Sequence, residues 1–182
     1  MQTDHALVEA LLAADEEAVA HMVETYGDRL FKTALAITGD VHHAEEVVQD
    51  AFLKAYDNIR TFRAESSFYT WLLRIAVNIA RTRRKRLWLV RSVPLERYEQ
   101  QLSDVADPEA SMIRHEERRQ VLECLAHLPE RYREVLALFY LEDMSVAQIA
   151  AMLAQPEGTI KSKLSRARAM LKARVEQCGV IR

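Results

Sequence analysis

Apolar positions recur along this chain at helical spacing, with almost no stretch that alternates residue by residue. The pattern predicts a first helix capped by Thr3 and running to about Ala13, then a second from about Asp15 to Ile37, broken by Gly39-Asp40. A third helix is predicted from about Val41 to Ile59, with Ala44, Val47, Val48, Ala51, Phe52 and Ala55 on its buried side. Its opposite face presents Glu45, Glu46, Gln49, Asp50 and Lys54. After Phe62 comes a polar loop, Arg63-Ala64-Glu65-Ser66-Ser67. A fourth helix then carries Phe68, Trp71, Leu72, Ile75, Ala76 and Ile79 and ends in Arg81-Thr82-Arg83-Arg84-Lys85-Arg86.

From about Leu89 to Asp107 the helical pattern lapses, and Arg91, Pro94 and the acidic run from Glu96 read as a linker. Asp107 is placed to cap a new helix with Pro108 at its first position, running to about Leu128. Pro129 opens the next, with Tyr132, Val135, Leu136, Leu138 and Phe139 expected inside, as far as Glu142-Asp143. Ser145-Val146-Ala147-Gln148 has the spacing of a capping box, and Val146, Ile149, Ala150 and Leu153 supply the buried face of a short helix. Ala154-Gln155-Pro156 ends it, with Pro156 suited to the first turn of the next helix. There Ile160, Leu164, Ala167 and Leu171 form one apolar stripe. Two helices joined by so short a turn make a helix-turn-helix, whose second helix enters the DNA major groove. The predicted fold is all-α: two small helical domains, residues 1–88 and 108–182, joined by a linker at 89–107, the second containing the helix-turn-helix.

The chain has 182 residues, and only four Gly and four Pro among them agree with long helices and few turns. Its net charge of −2 hides strong segregation. Residues 1–57 are predominantly acidic, with Arg29, Lys32 and Lys54 as their only Lys or Arg. From Gly158 to Val175 there is no carboxylate, while Lys161, Lys163, Arg166, Arg168, Lys172 and Arg174 accumulate. Such a stretch suits a polyanion, the plain alternative being a solvated basic helix.

A second carboxylate-free stretch lies between Glu65 and Glu96, and aromatics crowd its start: Phe62, Phe68, Tyr69 and Trp71. Aromatics interleaved with cations suit unstacked bases of a single strand. The alternative is that Phe62, Phe68 and Trp71 are core, which is the favoured reading for Trp71, whereas Tyr69 and residues 63–67 are expected to be exposed.

Cys124 and Cys178 have no metal-ligand spacing around them and read as thiols in a reducing compartment. No second ligand pair accompanies His42-His43 or His115, so no metal is expected. The absence of a signal pattern and of a bilayer-length apolar run predicts a soluble, cytoplasmic protein. Without a Ser/His/Asp grouping or a glycine-rich phosphate loop, neither catalysis nor a cofactor is expected.

Four stretches together resemble one family, the extracytoplasmic-function (ECF) group of bacterial RNA polymerase sigma factors. They are Ala44 to Tyr56, Phe68 to Asn78, Leu128-Pro129 and Gly158 to Arg168, in this order. The resemblance implies that Glu45, Glu46, Gln49, Asp50 and Lys54 dock on the clamp helices of core RNA polymerase. It implies that Phe62, Arg63, Ala64, Glu65, Ser66, Ser67, Phe68 and Tyr69, with Arg74 and Asn78, melt the minus-10 promoter element and hold a flipped base. Capturing an unstacked base offsets the few kcal/mol that unstacking costs. Arg81, Arg83 and Arg84 would contact nearby phosphates.

By the same resemblance the helix-turn-helix reads the minus-35 element as duplex. Lys161, Ser162, Ser165 and Arg166 would reach base edges, the amides of Gly158 and Thr159 a phosphate, and Arg168 the backbone. The family commonly has Gly in the turn where Ala154-Gln155 stands. The stretch from Phe62 to Asn78 is most similar to the envelope-stress branch, whose members are usually held by a membrane-anchored anti-sigma factor. Implied partners are therefore core RNA polymerase, promoter DNA and such an anti-sigma factor. A stand-alone helix-turn-helix regulator with an N-terminal sensing domain is the second reading, and predicts dimerisation and DNA binding without polymerase.

Overall fold

A computed structural model describes residues 2–87 and 124–177, and the side chains of residues 4–83 and 124–177. The expected linker at 89–107, the helix start at Asp107-Pro108, His115 and Cys178 lie outside the described residues. The chain divides into two compact units, residues 1–35 with 42–92 and residues 36–41 with 93–182. Every described element is a helix, and none is long and apolar enough to cross a membrane.

The first unit contains α1 (Gln2–Leu12), most of α2 (Glu16–Thr38), α3 (Val41–Asp57), a 3-10 turn (Ile59–Thr61) and α4 (Phe68–Leu87). α1 begins at Gln2, so Thr3 lies inside the helix and does not cap it. Asp15 does cap α2, its Oδ1 accepting the Glu17 amide at 2.9 Å. α3 ends two residues earlier than its apolar pattern suggests. The Asn58 side chain donates to the Lys54 carbonyl at 2.8 Å, and the chain tightens into the 3-10 turn. Ala44, Val47, Ala51, Phe52 and Ala55 are buried as expected, whereas Val48 is only half-buried.

α4 is apolar on most of its circumference. Phe68, Tyr69, Leu72, Leu73, Ala76, Val77, Ile79 and Ala80 are buried, so this helix forms the centre of the unit. Fully burying a side chain of Phe or Leu size stabilises by about 1.5–3 kcal/mol. Its N-terminus is capped twice. The Ser67 hydroxyl accepts the Thr70 amide at 3.1 Å, and Asp4 of α1 accepts the Phe68 amide at 3.2 Å.

Besides residues 36–41, the second unit is described from residue 124: a helical turn at 124–126, then α5 (Glu130–Tyr140), α6 (Val146–Leu153) and α7 (Glu157–Gln177). Arg133 of α5 donates to the carbonyls of Ala126 and Leu128, satisfying acceptors the preceding turn leaves open. Both halves of the capping box form at α6: Ser145 accepts the Gln148 amide, and Gln148 Oε1 accepts the Ser145 amide at 2.8 Å. Ala154 ends α6 in the left-handed conformation (φ 51°). Pro156 stands one residue before α7, not in its first turn, and its carbonyl accepts the amides of Thr159 and Ile160. α7 packs on α5 and α6, burying Ile160, Leu164, Ala167 and Val175, while Leu171 is half-buried.

Candidate nucleic-acid interface

The apolar stripe of α7 faces inward, which leaves Lys161, Ser162, Ser165, Arg166 and Arg168 exposed. Those five expected contacts therefore share the outer surface of the helix. Ser162 donates its hydroxyl proton to the Thr159 carbonyl at 2.9 Å and retains lone pairs for a base or phosphate donor. Lys161 lies 4.0 Å from Glu157, an exposed pair one turn apart. Arg168 is stacked over Phe139, 5.0 Å from the ring centroid, which restrains its guanidinium.

Two expectations for this helix change. The Thr159 amide is already taken, donating to the Pro156 carbonyl at 2.9 Å, so it is not presented to a phosphate. At Gly158 nothing lies within 4 Å of where a Cβ would stand, so the chain there is open to its surroundings. Lys163 turns back from the surface and donates to Gln155 Oε1 at 2.7 Å, bracing the turn. Arg131 and Arg166 both act on Tyr132 of α5, and they lower its phenol pKa, Arg131 foremost. Charge patterning along the chain assigns no role to Arg131, an exposed cation beside Arg166.

In the first unit the aromatics form one cluster. Phe62 contacts Phe68 and Trp71 at ring-centroid distances of 5.7 and 5.4 Å, and Tyr26 of α2 contacts Phe68 and Tyr69 at 5.6 Å each. Phe68 is wholly buried. Tyr69, expected outside, is buried beneath Arg29, whose guanidinium sits 4.2 Å from the ring centroid. Its aromatic neighbours and that cation exclude water more effectively than its hydroxyl draws it outward. Phe62, Trp71 and Tyr26 are the half-exposed members of the cluster, whereas Phe68 and Tyr69 are buried. Arg63, Ala64, Glu65, Ser66 and Ser67 are exposed as expected, Ala64 at φ 56°, a conformation costly for a residue with a Cβ.

Trp71, Arg74, Asn78 and Arg81 fall on one stripe of α4, exposed or half-buried beside its buried apolar side chains. Arg83 is not part of it. It follows Arg74 by nine residues, two and a half turns, and so emerges on the opposite side. There one of its terminal nitrogens donates to Glu46 and the other to Asp50 at 2.6 Å. The Asp50 bond, with Glu46 adding to it, raises the guanidinium pKa despite partial burial. Arg84 is helical, with its side chain outside the described set.

That bridge divides the expected docking face of α3. Glu46 and Asp50 turn toward α4, whereas Glu45 and Gln49 line a separate groove between α2 and α3. Lys54 is exposed. The groove, of about 660 Å³, is walled chiefly by Val19, Val23, Phe31, Val48, Phe52, Leu53 and Tyr56, with Asp28 as a second carboxylate. Gly27 leaves it open, since a Cβ there would meet only Val23 within 4 Å. Leu53 at 58% and Val23 at 43% are among the most exposed large apolar side chains described. The polar residues of α3 mark this face in the sequence, whereas the apolar surface beside them carries no equivalent signal. Among the described residues no three His, Cys, Asp or Glu side chains converge as metal ligands.

Residues 22–90 match the family model for Sigma-70 region 2, and residues 118–171 match that for Sigma-70, region 4. The chain is 36% identical over 184 residues to an ECF RNA polymerase sigma-E factor of Haemophilus influenzae, covering 96% of each chain. It is 34% identical to the ECF RNA polymerase sigma factor SigW of Bacillus subtilis, covering 87% of this chain and 89% of that one. This chain belongs to the ECF RNA polymerase sigma factors. The sigma-factor fold is shared with RpoE of Bartonella quintana, solved with the anti-sigma factor NepR, at a TM-score of 0.66 and 23% identity, covering 86% of this chain and 96% of that one. It is likewise shared with CnrH, solved with the cytosolic domain of CnrY, at a TM-score of 0.63 and 24% identity, covering 96% and 97%. As a sigma factor the chain directs transcription initiation and is not an enzyme.

Proposed function

We propose that this sigma factor works in the cytoplasm as a bipartite promoter reader on core RNA polymerase, its two readers being residues 1–88 and 108–182, joined by a linker at 89–107. The first docks on the polymerase through the α2–α3 groove and the carboxylates of α3. It melts the minus-10 element, with Arg63 to Ser66, Phe62 and Trp71 receiving unstacked bases and Arg74, Asn78 and Arg81 following the strand. The second reads the minus-35 element as duplex. Lys161, Ser162, Ser165 and Arg166 meet base edges, and Gly158 and Arg168 meet the backbone. An anti-sigma factor, membrane-anchored as in the envelope-stress branch, is the third partner.

The observation that carries this reading is the pairing of the outward basic face of α7 with a separate cationic stripe on α4 beside half-exposed aromatics. A duplex reader needs only the first of these. The test is transcription by bacterial core polymerase with and without the protein on a library of promoter-like templates, with the transcripts sequenced. Discrete starts that require the protein and lie downstream of a shared two-part motif are expected. Specific DNA binding without polymerase, and no new transcripts, would instead favour a stand-alone regulator.

A further inference from the structure

Arg83 sits in a run of cations that reads as a phosphate-binding strip, yet its guanidinium lies on the side of α4 opposite Arg74 and grips two carboxylates of α3. Glu46 and Asp50 are one turn apart on α3, where like charges repel. A planar guanidinium satisfies both at once with separate N–H groups. Each carboxylate stays substantially exposed, at 53% for Glu46 and 40% for Asp50, against 32% for Arg83. Each therefore has lone pairs left for an incoming donor, and its bond to Arg83 restrains its side chain.

We infer that Arg83 is a positioning residue for polymerase docking, holding Glu46 and Asp50 in the orientation in which they accept hydrogen bonds from the polymerase. This rests on the assignment of the α3 face to polymerase docking. The carboxylates no longer have to be ordered on binding, and ordering side chains is a recognised cost of association. A Lys at this position holds one carboxylate at a time and lacks the fork.

The experiment compares full-length wild type, Arg83→Gln, Arg83→Lys, Glu46→Gln/Asp50→Asn and the triple variant with Arg83→Gln. Affinity for core RNA polymerase and for a labelled oligo-dT strand is measured across salt, at a temperature where all variants are folded. Arg83→Gln is expected to weaken polymerase binding by roughly three- to tenfold, with Arg83→Lys recovering only part. The triple variant should match Glu46→Gln/Asp50→Asn, because Arg83 acts through those two groups. Strand affinity and its salt slope should not change with Arg83→Gln. A Gln variant that spares polymerase binding but lowers the strand slope by about 0.7, the value for one lost phosphate contact, makes Arg83 a phosphate ligand and overturns the inference. Tighter polymerase binding by Arg83→Gln overturns it too, since Arg83 then masks the carboxylates. If wild type itself does not bind the polymerase, the docking assignment fails and the inference with it, whereas unchanged binding by Arg83→Gln removes the inference alone.

Discussion

Asp4, in the first turn of α1, accepts the backbone amide of Phe68 at the start of α4, 64 residues away. Its other oxygen accepts the Tyr26 hydroxyl at 3.1 Å, so one carboxylate joins three helices of the first unit. Burial, with the Asp4 charge and hydrogen bond adding to it, pushes the Tyr26 pKa from 10.0 up to about 12. Because the folded value is the higher one, the stabilising contribution of Tyr26 is fully present below pH 10 and is lost as pH rises through about 12. Asp4→Asn keeps an acceptor but removes the charge. It should move the Tyr26 transition toward 10, read from tyrosinate absorbance against wild type and a Tyr26→Phe control. An unmoved transition would mean that burial alone sets it.

The helix-turn-helix closes through Ala154 at φ 51°, where a Cβ crowds the following carbonyl. The left-handed conformation costs an L-residue about 1–2 kcal/mol, and glycine gives back about 0.5–1 kcal/mol through its freer unfolded chain. Ala154→Gly should therefore stabilise the protein by about 0.5–1 kcal/mol, seen as a higher denaturation midpoint at unchanged slope. Ala154→Val should lower the midpoint, since a branched side chain worsens the same contact. A lower midpoint for the glycine variant would show that the turn relies on the Ala154 methyl for packing.

Docking and promoter reading should separate by mutation. Gly27→Leu adds a helix-favouring residue whose Cβ meets only Val23 within 4 Å and whose branch fills the groove, so stability should rise by about 0.5–1 kcal/mol while polymerase binding weakens roughly tenfold. Arg166→Ala should leave polymerase binding intact and lose about 1–3 kcal/mol of minus-35 discrimination. Polymerase pull-down and promoter competition on both variants check this, and parallel losses in both assays would contradict two separate surfaces.

Most of the described helices, and the greater part of the face that each presents to its core, were legible in the chain, because a periodicity of 3.6 residues is a local property of the sequence. The capping box at Ser145 and the stripe of Ile160, Leu164 and Ala167 are instances. The resemblance to the sigma factors was legible as well, since it rests on short stretches whose residues stand together.

Partners were another matter. Tyr69 looked exposed until Tyr26 and Arg29, some 40 residues earlier, were folded over it, and Arg83 looked like its cationic neighbours until α3 supplied Glu46 and Asp50. Its half-turn offset from Arg74 was present in the numbering, but charge is counted along a run while a side chain projects around a helix. The sequence by itself determined most of the described helices, the apolar stripe each turns inward and the family. Only the tertiary structure decided which polar groups meet and where an apolar groove stays open, because hydrogen bonds and burial depend on residues that the chain brings together from far apart.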